Sequence, residues 1–422
     1  MLAFVDGDRL RADIEATAAF GAVDTADPDA RGRTNRTGSA ANRRARDYLS
    51  ERLREAGLSV TVDPVGNVAG TWVPDGADPE AAPVASGSHL DSVPEGGIFD
   101  GPLGVYAALE AVRALQDAEV DLDRPVTVVS FTEEEGATFG DGLVGSSVAT
   151  GARSVEAAHA LTDDDGRSLG EALSEIGYRG EGTVDPSGWD GFLELHVEQN
   201  TVLETAGAAV GVVTTIPGLT HCSVTVAGEA DHAGATAMDD RTDALTAAAE
   251  FVGDVERAAV ETADELDSAA VGTVGSLTVS PNATNVIPGR VRAGVDIRDV
   301  TAEGIERVVS AARDSLARLE RDRGVQTTFD RHLDVAPTPM SDRLREAARA
   351  AAADCTVESI DLPSGAGHDA MRVADATDAA LLFAPSRGGY SHSHKEWTDW
   401  ADCARATEVL AGAIAAAATD GS

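Results

Sequence analysis

The chain of 422 residues has a single lysine, Lys395; all its other basic residues, within a Lys plus Arg total of 33, are arginines. Against them stand 72 Asp and Glu residues, for a formal net charge of −39. A field of that sign repels nucleic acid and anionic membrane, so neither is expected as a partner. An acid-rich, lysine-poor surface suits concentrated salt, where screening removes the self-repulsion, and the chain reads as halophilic. Cysteine is scarce too. Cys222, Cys355 and Cys403 form no C-x-x-C pair and fall outside every motif below. Free thiols in a reducing compartment, without catalytic use, are expected. No apolar run is long enough to span a bilayer. Residues 1–13 carry Asp6, Asp8 and Arg9 and lack the segments of a signal peptide. A cytoplasmic location is the expectation. There is no internal repeat and no low-complexity tract.

What is present suggests two domains, since the length exceeds one ordinary core. The first half alternates helical and strand patterns. Residues 40–56 read as an amphipathic helix closed by Gly57, and 59–62 and 67–72 as short strands. Residues 82–88 read as a buried strand ending on His89, 105–116 as a helix, and 125–132 as a strand running into Glu133–Glu135. Residues 192–196 read as a strand ending on His196. Such alternation predicts an α/β domain with a mixed, largely parallel sheet. Chemistry in such sheets gathers at the carboxyl ends of strands. From about 219 to 332 the order changes to β-α-β-β-α-β, the ferredoxin-like split unit. The expected division is a catalytic domain over 1–216 and 333–422 with an α+β domain inserted at 217–332.

Five segments hold most of the suggestive polar residues. They are Gly87-Ser-His-Leu-Asp-Ser-Val93, Phe99-Asp-Gly-Pro-Leu-Gly104, Thr132-Glu-Glu-Glu-Gly136, Leu193-Glu-Leu-His-Val-Glu-Gln199 and Gly389-Tyr-Ser-His-Ser-His-Lys-Glu396. Mixed imidazoles and carboxylates suit borderline divalent ions such as Zn²⁺, Mn²⁺ or Co²⁺. A two-metal site needs a bridging carboxylate, a bridging water and a further carboxylate to shuttle the water's proton. Adjacent glutamates can divide those roles. Alone, each segment is weak, since a lone His is usually structural and an acidic run is usually a solvated face. Together, at strand ends, they point to a site.

These motifs, in this order, with Asp-His-Ala-Gly, Asn-Val-Ile-Pro-Gly and Gly-Ala-Gly-His-Asp-Ala between them, resemble the M20 metallopeptidase clan. More closely they are similar to its hydantoinase/carbamoylase branch, which includes N-carbamoyl-L-amino-acid hydrolases, β-ureidopropionases, ureidoglycolate amidohydrolases and allantoate amidohydrolases. The resemblance runs from about Gly32 to the C-terminus. It implies an amidohydrolase with two divalent metal ions per subunit, cleaving the C–N bond of a small ureido acid. His89 and His196 would hold one metal, Glu135 and His392 the other, and Asp100 would bridge them. Glu134 would be the base and then the acid, and Asp91 would orient His89. A histidine at position 196, in place of the acidic residue of many exopeptidases of the clan, marks the carbamoylase branch. The inserted domain would be a lid and dimerisation domain, and the protein a homodimer. His232 would steady the oxyanion, often from across a dimer interface. Asn285 and Arg298 would bind the substrate carboxylate, with Gln199 and the backbone of Gly389 also facing the substrate.

There are departures from the family pattern: Ala237 before Met238, Asn200 after Gln199, and Pro102 after Asp100-Gly101. They touch local backbone geometry and remove no ligand. His394, two residues past His392, is a rival ligand, and a surface salt bridge is the rival fate for Arg298. At the level of function the alternatives are an aminopeptidase, dipeptidase or N-acyl-amino-acid deacylase on the same scaffold, a non-catalytic binding protein, and a structural oligomer with incidental histidines.

Overall fold

Short apolar runs become buried strands, and the polar residues flanking them become caps and turns. The computed structural model describes residues 4–25, 30–140 and 142–419; the extreme ends of the expected catalytic stretches, 1–3 and 420–422, lie outside them. Helix α1 (Gly7–Ala18) starts on Asp6, whose carboxylate accepts the amides of Asp8 and Arg9. Helix α2 (Ala40–Glu55) starts on Ser39, whose hydroxyl accepts the amide of Asn42. Both are ordinary N-caps that satisfy otherwise unpaired donors. Strands β1 (Ser59–Val62), β2 (Val68–Trp72) and β3 (Val84–His89) follow. Helix α3 (Pro102–Asp117) opens on Pro102, where a missing N–H costs nothing, so that departure from the family pattern is a helix start. Residues 102–112 are all buried. A helix apolar on every side belongs inside a core. Its Glu110 is held by Arg9, Nε to Oε2 at 2.7 Å.

The chain continues through β4 (Val126–Phe131), β5 (Gly191–Val197) and β6 (Val210–Val213), then β7 (Gly218–Ala227), α4 (Ala244–Leu266), β8 (Val271–Ser280), β9 (Arg290–Asp299), α5 (Ala302–Arg323) and β10 (Gln326–Val335). It closes with α6 (Asp342–Asp354), β11 (Ser359–Leu362), β12 (Ala379–Ala384) and α7 (Trp400–Ala417). Two compact units result: Met1–Thr214 with Met340–Ser422, and Thr215–Pro339.

The first unit is a mixed α/β fold. Its eight-stranded sheet has the order β11-β6-β12-β5-β3-β4-β2-β1. The centre, β12-β5-β3-β4, is parallel. The β1–β2, β2–β4 and β6–β12 pairings are antiparallel, so the sheet is more evenly mixed than the alternating pattern suggests. Strands β6 and β11 escaped the sequence reading. Each is four residues long, too short to show a period, and they pair only with one another and with β12.

The second unit has an antiparallel sheet of order β8-β9-β7-β10. Helices α4 and α5 bury Phe251, Val255, Val308 and Leu316 against Val224, Val295 and Ile297. The sequence pattern predicts a helix over 242–259; α4 runs on to Leu266 and stops where Asp267 turns left-handed at φ 47°. The sequence pattern predicts a strand over 325–329; β10 runs on to Val335 because a bulge at His221/Cys222 lets it keep pairing with β7. Among the described residues no helix is long and apolar enough to cross a membrane.

Candidate metal centre

Because β3, β4, β5 and β12 are mutually parallel, their carboxyl ends share one edge of the sheet. His89 ends β3, and His196 is next to last in β5. Glu133–Glu135 follow β4, and the segment reaching His392 follows β12. Two ligand groups converge here, His89–Asp100–His196 and Asp100–Glu135–His392, with the donor atoms of each within 4.8 Å of one another. Asp100 belongs to both. Its Oδ1 lies 3.5 Å from His89 Nε2 and 3.3 Å from His196 Nε2. Its Oδ2 lies 3.8 Å from His392 Nε2, which is 3.1 Å from Glu135 Oε2. Each carboxylate oxygen thus faces a different group. His394 belongs to neither.

The backbone sets these positions at some cost. Glu133 (φ 55°) and His392 (φ 52°) are left-handed without being glycine, a strain that concentrates at functional sites. Gly101 is left-handed too (φ 83°), and a Cβ there would lie 2.6 Å from the His89 carbonyl and 2.7 Å from its Nδ1. Only glycine lets α3 start against that ring.

The tautomers follow from the acceptors. His89 Nδ1 lies 3.2 Å from the main-chain carbonyl of Asp91, and His196 Nδ1 lies 3.1 Å from that of Val197. A carbonyl can only accept, so each Nδ1 donates there and each ring turns its Nε2 toward Asp100. The expected role of Asp91 changes accordingly. It is the Asp91 carbonyl that orients His89; its carboxylate accepts the amides of Glu134 (3.3 Å) and Glu135 (3.2 Å) instead. Two amides fix the side chain more closely than an imidazole 3.8 Å away.

Glu134 Oε2 lies 3.6 Å from His89 Nε2. Burial pushes its carboxyl well above the usual range; His89 opposes, while Glu135, Asp369 and Asp100 add to the rise. A carboxyl beside the cluster and outside both ligand groups is placed to carry a proton. Burial works against the Asp100 carboxylate, but His196 and His89 outweigh it and hold it well below its usual value. Glu135 holds His392 up, to about 9.

Gln199 Nε2 donates to Ser391 Oγ at 3.0 Å, and Ser391 donates to Asp100 Oδ2 at 2.7 Å. Gly389, left-handed at φ 68°, packs on Asn200, where a Cβ would come within 3.0 Å of its Cα. Asn200 Oδ1 accepts the amide of the next residue, Thr201. Lys395 is exposed, its ammonium 5.7 Å from the Tyr390 ring centroid.

The second unit holds His232, Asn285 and Arg298. His232 Nδ1 accepts the amides of Gly234 (3.0 Å) and Ala235 (3.1 Å), so its proton sits on Nε2 and is available to donate. The Asn285 carbonyl accepts the amide of Ala233, which joins the two motifs. Arg298 is paired within its own strand: Nε and Nη2 reach the two oxygens of Asp296 at 2.9 and 3.1 Å. The salt-bridge alternative for this residue therefore describes its contacts here, with Nη1 outside the pair.

Several residues that the sequence reading left without a role converge on this centre. Ser391 and Glu396 lie inside a quoted motif yet read there only as neighbours of His392. His368 stacks edge-on against His196 (centroids 4.5 Å apart), and its neighbour Asp369 is buried with both oxygens unpartnered. Arg33 carried no signal beyond its place at the start of the resemblance.

The donor set fits divalent metal. His89 Nε2 is buried, aimed into the cluster and without a hydrogen-bond partner. Around it the carboxylates of Asp100, Glu134 and Glu135 crowd together, which only protons or cations can offset.

A family model for "Peptidase family M20/M25/M40" matches residues 85–416. The chain belongs to this family. It is similar to an N-carbamoyl-L-amino acid amidohydrolase of Geobacillus stearothermophilus, 40% identical over 381 residues, covering 88% of this chain and 90% of that one. It is also similar to an allantoate amidohydrolase of Bacillus subtilis (strain 168), 36% identical over 349 residues, 81% of this chain and 82% of that one. Among solved structures, an amidase of the hydantoinase/carbamoylase family from Burkholderia multivorans superposes with a TM-score of 0.90 at 35% identity, covering 100% of both chains. The resemblance to the carbamoylase branch is borne out.

Proposed function

We propose that this M20-family chain is a metal-dependent amidohydrolase that cleaves the ureido C–N bond of an N-carbamoyl amino acid or a related ureido acid such as allantoate. The observation that carries the reading is Asp100 between two ligand groups, with Glu134 beside them. The similarity to carbamoyl and allantoate amidohydrolases supports the substrate class. His89, Asp100 and His196 would hold one divalent ion, and Asp100, Glu135 and His392 a second. When bound, the ions would polarise the ureido carbonyl and acidify the attacking water. Glu134 takes the water's proton as the C–O bond forms and delivers it to the departing amine nitrogen as the C–N bond breaks. His232 donates its Nε2–H to the oxyanion. Gln199, the Gly389 backbone, Asn285 and Arg298 orient the substrate, Arg298 through the Nη1 outside its pair with Asp296. For a carbamoyl amino acid the products are the amino acid and carbamic acid, which falls apart to CO₂ and ammonia.

The finer parts of the proposal are a lid and dimerisation role for the second unit, a homodimer, a cytoplasmic location and a salt-loving surface. Support for the dimer comes from β8, a sheet edge of ten residues without charge or proline. Its one irregularity is a bulge between Val274 and Ser276, and it has neither the lysines nor the prolines that otherwise guard such edges.

Ammonia release at molar salt with added Mn²⁺ tests the function. The panel is N-carbamoyl-L-amino acids, β-ureidopropionate, ureidoglycolate and allantoate, with a dipeptide and an N-acetyl amino acid as controls. Turnover confined to a ureido acid is expected. Amine release from a control alone would move the chain to the peptidase or deacylase branch.

A further inference from the structure

The loop between β3 and α3, residues 90–101, carries both Asp91 and Asp100, yet its regular pairing is limited to one bridge between Arg33 and Gly96. Its shape comes from Arg33. This guanidinium is fully buried. Its Nε donates to the Gly97 carbonyl at 3.1 Å, Nη1 to Leu90 at 2.7 Å, and Nη2 to Asp91 at 3.1 Å and to Asp100 at 2.8 Å. All four acceptors are main-chain carbonyls of one loop, and among the described residues no carboxylate pairs with it directly. Burying a cation in this way is costly. Four nearby carboxylates, those of Asp100, Glu135, Glu396 and Asp91, offset its charge through space.

Neighbouring residues tie down the same loop. Asn35 Nδ2 donates to the Leu90 carbonyl, and Asn35 and Ser92 exchange hydrogen bonds. From the opposite end of the chain, Glu396 Oε1 accepts the amides of Phe99 and Asp100, both at 3.0 Å. A Cβ on Gly97 would come within 2.1 Å of that oxygen, so glycine is what admits the carboxylate. The Asp91 carbonyl accepts from Arg33 and from His89 Nδ1 together. Arg33 thereby fixes the atom that selects the His89 tautomer.

We propose that Arg33 and Glu396 are positioning residues that hold the 90–101 loop, and with it the Asp91 carbonyl and Asp100, in the metal-binding arrangement before any metal arrives. The proposal rests on the metal reading above but not on the identity of the substrate. A planar fork with five donors can reach four carbonyls; an ammonium cannot.

The test has two arms, neither of which uses turnover. In the first, hydrogen exchange is followed on the unmodified, metal-free protein. The amides of Ser92, Phe99 and Asp100 are expected to be protected already, and free exchange of all three until metal is added would overturn the proposal. In the second, Co²⁺ is titrated against a chromophoric chelator. Arg33→Lys is expected to bind about tenfold or more weakly, the loss typical of groups behind metal ligands, with an altered visible spectrum. Folded Arg33→Lys with the unmodified protein's affinity and spectrum would overturn the proposal. If that variant does not fold, the exchange arm decides. Failure of the unmodified protein to bind Co²⁺ would instead sink the metal reading, while the exchange arm still judges the clamp.

Discussion

Glu134 and Glu135 are neighbours in sequence with different surroundings. Glu135 Oε2 faces His392, whereas Glu134 faces His89 Nε2 and lies outside both ligand groups. Replacing Glu134 with Gln keeps its size and removes its basicity. Metal content is expected to stay unchanged and turnover to fall by about 10²–10⁴-fold, the span of lost general acid–base catalysis. Steady-state rates beside metal analysis check this, and near-normal turnover would remove Glu134 from the role of base. His392 is the exposed ligand of its group, while His89, Asp100 and His196 are buried. His392→Ala is therefore expected to lower tightly held metal from two ions per chain to one; two ions retained after dialysis would refute the assignment. The candidate ligands were legible in the sequence because each sits in a short motif, with His89, Glu135 and His196 at or just past strand ends and Asp100 just before α3. The clamps were not. Arg33 acts on carbonyls more than fifty residues away, and a main-chain carbonyl leaves no mark in a side-chain pattern.

In the second unit, Asp254 on α4 accepts Arg318 Nη2 from α5 at 2.7 Å, with Ser315 and Arg257 also donating to it. Burial opposes the charged form, but these donors outweigh it and hold the carboxyl below its usual value. A folded-state pKa below the unfolded one means that the folded state binds fewer protons. The stability it contributes is present above about pH 4 and is lost as pH falls through the folded value. Asp254→Asn is expected to flatten the acid limb of a plot of melting temperature against pH. A limb of unchanged slope would show that the pair contributes nothing there. Strand β8 makes a second prediction. Leu277 is 44% exposed on it, and Leu277→Lys should convert a dimer to a monomer at micromolar concentration, read by light scattering. An unmodified protein that is already monomeric would end the dimer proposal. The elements themselves were largely legible, since β3, β4, β5, β7, β8 and β9 fall where the apolar runs lie. Those that were not legible depend on tertiary pairing. Strands β6 and β11 have no period of their own, and β10 is lengthened by its bulge against β7.

At the scale of the whole chain, a formal charge of −39 means strong self-repulsion in dilute buffer. The Debye length falls from about 10 Å at 0.1 M to about 3 Å at 1 M salt, so molar salt confines that repulsion to near neighbours. Melting curves at low and molar KCl are expected to separate clearly, with the folded state lost first at low salt. Coincident curves would mark an acidic protein with no need of salt. The arginine-for-lysine composition that goes with this charge also makes Lys395 unusual. It is the only side-chain amine in the sequence, exposed over the Tyr390 ring and three residues from His392. To an amine-directed reagent the protein therefore presents one internal address, at the rim of its candidate metal centre. A dye placed there would report metal loading without an engineered cysteine.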